Sequence, residues 1–138
     1  MGDPKAPATA ADLPPRPTDA ELAILRVLWR RGPSTVRQVH EEVARREPLA
    51  YTTTLKQLQI MTEKGLVVRD ESERAHVYSA RLPVEQTRGQ LVTDLLDRVF
   101  EGSASRLVLQ ALSSRPASPA ELAEIRRLLD ELTGEAET

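Results

Sequence analysis

Two capping boxes stand close together in the first third of the chain, Thr18-Asp-Ala-Glu21 and Thr35-Val-Arg-Gln38, and they dictate where helices begin. In each, the Thr hydroxyl accepts from an amide in the first helical turn while the Glu or Gln side chain accepts from the Thr amide, satisfying two orphan donors together. Behind the first box, Leu22, Leu25, Leu28 and Trp29 recur at helical spacing, and Gly32-Pro33 ends the run near Arg31. Behind the second, Val36, Val39 and Val43 form an apolar stripe up to Arg46, and Pro48 interrupts the chain beyond it. A third helix is expected over 50–64, with Gly65 supplying the left-handed residue that ends it. Residues 66–70 and 75–79 are β-prone runs around the polar turn Glu71-Ser-Glu-Arg74, the pattern of a hairpin. Helix, helix, helix, hairpin is the order of a winged helix-turn-helix.

The flanks differ in character. Residues 1–17 carry Pro4, Pro7, Pro14, Pro15 and Pro17 with no periodic apolar face, and read as a flexible tail. From residue 83 the pattern turns helical again: one helix to about residue 100, a break at Gly102, a short helix over 103–112, and another after Ser118-Pro119. Leu91, Leu95 and Val99 stripe the first of these, and Leu122, Ile125, Leu128, Leu129 and Leu132 stripe the last, too apolar for solvated helices. Three such helices bury little by themselves. A second copy of the chain is the expected partner, because two-fold homodimers are the commonest oligomers, and packing against the N-terminal domain is the alternative. The expected fold is therefore mainly α with a small β-hairpin: a tail over 1–17, a winged-helix domain over 18–82 and a helical dimerisation domain over 83–138.

Composition narrows the function. Cysteine is absent, which removes disulfides, thiolate metal sites and cysteine nucleophiles, and His40 and His76 cannot make a metal cluster by themselves, so no cofactor is expected. No apolar run approaches the length of a membrane span and no secretory signal opens the chain, which points to a soluble, cytoplasmic protein with no membrane partner. No nucleophile triad, phosphate loop or paired-carboxylate motif marks an enzyme. The net charge of −2 argues against a nucleic-acid partner until the chain is divided. Residues 1–82 hold 13 Lys plus Arg against 11 Asp plus Glu, whereas residues 83–138 hold 6 against 10. The acidity belongs to the C-terminal part.

Winding the third helix at its natural pitch sets Tyr51, Thr54, Leu55, Leu58 and Met61 on one side as a core face. The other side carries Thr52, Thr53, Lys56, Ile60 and Glu63, with Gln57 and Gln59 at its edges. Short hydroxyls followed by Lys and Gln suit a helix entering the major groove: Thr reaches phosphates, base edges or a thymine methyl, Gln pairs with adenine, and Lys reaches guanine or phosphate. Thr52, Thr53, Lys56 and Gln57 are thus the candidate contacts with double-stranded DNA, against the plainer reading of a solvated helix face. Arg74 and Arg69 of the hairpin and Arg37 of helix two are candidate phosphate contacts, although Glu71 and Glu73 dilute the charge of the wing. A winged-helix module that binds proteins rather than DNA is the competing function.

These residues also carry a family likeness. Glu21-Leu-Ala-Ile-Leu-Arg-Val-Leu-Trp29, Thr35-Val-Arg-Gln-Val-His40, Ala50-Tyr-Thr-Thr53, Leu58-Gln59, Lys64-Gly-Leu66 and Arg74-Ala-His-Val-Tyr78 together resemble the penicillinase-repressor (BlaI/MecI/CopY) family of bacterial transcription regulators. The resemblance implies a homodimeric repressor on a palindromic operator, with Thr52 and Thr53 at the start of the recognition helix and Arg74 in the wing. It also implies release by a regulatory protease that cuts an Asn-Phe bond in the dimerisation region. Phe100 stands in a comparable place, preceded here by Val99. The cysteine motif of the copper-responsive branch is missing, and Thr54-Leu-Lys-Gln57 and Ile60 depart from the familiar recognition helix.

Overall fold

Both capping boxes close in the structure, a computed structural model that describes residues 13–137. Thr18 Oγ1 accepts from the Glu21 amide at 3.2 Å while Glu21 Oε1 accepts from the Thr18 amide at 2.9 Å, and Thr35 and Gln38 repeat the exchange at 3.2 and 2.9 Å. They open α1 (Asp19–Arg31) and α2 (Val36–Arg46). Gly32, at φ 89°, stops α1 by donating its amide to Leu28 O at 2.8 Å. Helix α3 (Tyr51–Lys64) ends in a Schellman turn: Gly65 takes φ 80° and ψ 19°, its amide reaching Thr62 O, and the Leu66 amide reaches Met61 O at 2.9 Å. A Cβ on Gly65 would meet the movable end of the exposed Arg81 side chain at 3.1 Å, so it is the backbone angle that favours glycine there.

The hairpin forms as β2 (Val67–Asp70) and β3 (Val77–Ala80), antiparallel, with Arg69 opposite Tyr78. The sheet has one strand more than the hairpin expected from sequence. Ser34 and Thr35 form β1, which pairs with Tyr78 and Val77 in the order β1-β3-β2. Two residues between Pro33 and a capping box show too short a pattern to announce a strand. Ser34 is buried there, and its hydroxyl donates to Gly32 O at 2.8 Å.

The core lies between the three helices and the sheet. Ile24, Leu25, Val27 and Leu28 of α1 meet Val39 of α2, Leu58 and Met61 of α3, and Leu66, Val67 and Tyr78 of the wing. Two results differ from the sequence expectation. Tyr51, assigned to the core face, is 45% exposed, its ring meeting that of His40 edge-on. The tail is not free up to residue 17: Pro14 and Pro17 are buried, and Gln90 Nε2 donates to Pro14 O at 2.8 Å. Residues 1–12 of that expected tail lie outside the described residues.

Three further helices follow, α4 (Val84–Val99), α5 (Ala104–Ser114) and α6 (Pro119–Glu137). The described chain divides into two compact units, one up to Val92 and one from Thr93 onward, the division lying within α4. The first half of α4 belongs with the winged helix, where Thr87 is buried. In the second unit, Glu101 and Gly102 take positive φ values of 51° and 80° in the turn after α4, and Ser103 and Ser118 cap the helices that follow. None of the described helices is long and apolar enough to cross a membrane.

Candidate nucleic-acid interface

Helix α3 is held from one side only. Thr54, Leu58 and Met61 are completely buried, whereas Thr52, Thr53, Lys56, Gln59 and Glu63 are exposed along the far side. The face is the expected one with two shifts: Gln57 and Ile60 are half-buried at its flank. Gln57 leans toward α1, lining a cleft with Arg26 and Arg30.

The buried Thr54 sits at a position where helical periodicity asks for an apolar residue, and a buried hydroxyl requires a partner. His40 of α2 is that partner. Its Nδ1 lies 3.0 Å from Thr54 Oγ1, and its ring meets the Tyr51 ring edge-on at 5.5 Å between centroids. His40, Thr54 and Tyr51 therefore fasten the first turn of α3, which bears Thr52 and Thr53, onto α2. Sequence reading gave His40 no role; the signal was the polar Thr54 in a buried register.

No side chain caps α3. Ala50 precedes it, and the first intrahelical bonds to Ala50 O come only from Thr53 and Thr54, at 3.0 and 3.3 Å. The amides of Tyr51 and Thr52 thus stay available at a positive dipole end beside two exposed hydroxyls. The other end is anchored by charge. Lys64 Nζ meets Glu21 Oε2 at 2.8 Å, and the Glu21 side chain is only 5% exposed. Burial raises the Glu21 pKa, but the Lys64 hydrogen bond and charge and the Thr18 contacts outweigh it and hold the carboxyl below its ordinary value.

The candidate arginines differ in freedom. Arg74 is exposed in the turn between β2 and β3, and Arg37 is exposed in the first turn of α2. Arg69 is engaged: its guanidinium bonds the Tyr78 hydroxyl and pairs with Glu71, and these contacts raise its pKa further. Ser72 shapes the wing tip by donating its amide to Asp70 Oδ1 at 2.9 Å, which lowers the Asp70 pKa. No hydrogen bond or ion pair among those described links Arg37, Arg69 or Arg74 to α3. They form separate points on α2 and the wing.

A row of hydroxyls and one lysine on a helix locked from behind, beside a small wing, is the arrangement the family comparison bears upon. Residues 17–131 match the Penicillinase repressor family. The chain belongs to that family. Its relatives include the "Transcriptional regulator BlaI" of Mycobacterium tuberculosis, found in two strains, 35% identical over 115 residues that make up 83% of each chain. The "Penicillinase repressor" of Bacillus licheniformis is 23% identical over 117 residues, 85% of this chain and 91% of the other. The family consists of transcriptional repressors and not of enzymes.

Proposed function

We propose that this member of the penicillinase-repressor family binds DNA sequence-specifically, as a homodimer on a palindromic operator, and represses transcription. The observation that carries the reading is the exposed row Thr52, Thr53 and Lys56 on a helix whose opposite side is completely buried. A rigid backing lets short side chains reach base edges reproducibly. The uncapped amides at the start of α3 suit a phosphate, and exposed Arg74 and Arg37 would fix register on the backbone. Arg69 is the weakest of the proposed contacts, because a phosphate must compete with Glu71 for it.

The homodimer reading rests on the second unit. Val99, Val108, Leu109, Leu129 and Leu132 are exposed, as are Leu95, Leu122 and Leu128, while α5 buries no residue at all. Leu91 and Ile125 are half-buried. So much open apolar surface on a small unit is typical of an interface. In this reading a regulatory protease acts near Phe100, in the turn that closes α4.

Titration of the purified protein against its own promoter DNA tests the proposal. Preference for that DNA over random sequence, at physiological salt and with a steep salt dependence, is the expected result. Equal affinity for both would overturn it. Affinity that ignores salt would instead favour a protein-binding module, the reading to which Glu71, Glu73 and the engaged Arg69 lend support.

A further inference from the structure

A cleft of about 500 Å³ opens on the winged-helix unit between α1, the C-terminal end of α2 and the segment leading into α3. That volume is in the range of small-molecule sites. Its floor is apolar, made by the half-buried Ala23, Val43 and Leu49 with Ile24 and Val27 almost fully covered, and its rim carries Arg26, Arg30, Arg45 and Arg46. Glu42 engages two of these guanidiniums, Arg30 at 3.4 Å and Arg45 at 3.3 Å. Arg26 and Arg46 have no ion pair among the described residues, and Glu47 is the only other acid on the rim. Four guanidiniums against two carboxylates leave the mouth positive above an apolar floor.

We propose that this cleft binds a small carboxylate with an apolar body, its chain or ring on the Ala23, Val43 and Leu49 floor and its carboxylate on Arg26 and Arg46. Guanidinium forks suit carboxylates through paired N–H donors, and an apolar floor rejects a purely ionic ligand. The site has a route to the helix that reads DNA, because Gln57 of α3 forms part of its wall. A ligand that draws Gln57 into the cleft alters the flank of the Thr53 and Lys56 row. That regulatory consequence rests on the proposed DNA binding, whereas the site itself does not.

The test uses the full chain without DNA and decanoate as probe, with decan-1-ol as its uncharged counterpart. Saturable binding of decanoate at one site per chain is expected, with amide shifts on α1, residues 42–49 and Gln57. The exposed pair Arg26→Gln and Arg46→Gln should weaken decanoate about tenfold and leave decan-1-ol unchanged. Ala23→Phe, filling the floor, should weaken both ligands, with circular dichroism confirming that each variant folds. No saturable binding, shifts confined to the exposed leucines of α5 and α6, or an undiminished affinity in the arginine pair would each overturn the proposal. A pair variant that loses affinity for DNA but keeps its affinity for decanoate would overturn it too, assigning these arginines to phosphates. Gel shifts with and without decanoate then address the coupling separately.

Discussion

Thr54 is a hydroxyl where the helix wants a hydrocarbon, and its burial gives His40 a function. Replacing Thr54 by Val keeps the shape but strands the imidazole Nδ1, so a loss of about 1 to 2 kcal/mol in urea denaturation is expected. The same variant should weaken operator binding beyond what its stability loss explains, because the first turn of α3 loses its tie to α2. Lys64 offers a pH-dependent counterpart. Glu21 has a folded pKa below its unfolded value, so its contribution is complete above the unfolded pKa and disappears as pH falls through the folded one. Lys64→Met should cost about 2 kcal/mol at neutral pH, and the gap from the parent protein should shrink in acid. A gap that stays constant from neutral pH to pH 3 would contradict the assignment.

At the scale of elements, helix limits were legible because capping boxes, glycines and prolines are local chemistry. Thr18, Thr35 and Gly65 each act within a few residues of themselves, and each does in the fold what its neighbours in sequence implied. What escaped was decided at long range. β1 exists because Ser34 and Thr35 lie beside β3, and the end of the tail is ordered because Gln90 reaches Pro14, across separations that periodicity does not encode. The site was half legible for the same reason. The exposed row on α3 follows from helical pitch, but the attachment of Tyr51 to His40 and the engagement of Arg69 by Tyr78 and Glu71 do not. Arg74→Ala, removing an exposed wing charge, should lower affinity for all DNA alike and reduce the salt slope by about one. Thr53→Ala should instead relax sequence preference, with the salt slope preserved.

Over the whole molecule, the apolar exposure of the second unit is the ground for the proposed homodimer. Leu129 and Leu132 lie one helical turn apart on α6, both mostly exposed. Replacing both by Glu should give a monomer in sedimentation at micromolar concentration and reduce operator affinity far more than affinity for random DNA. A double variant that still sediments as a dimer would move the interface elsewhere. Trp29 is the only tryptophan of the chain, and its indole Nε1 donates to Leu82 O at 3.0 Å, just before α4 begins. The protein thus carries a built-in fluorophore at the point where its wing hands the chain to α4, and the emission wavelength of that indole reports whether Leu82 stays seated against α1.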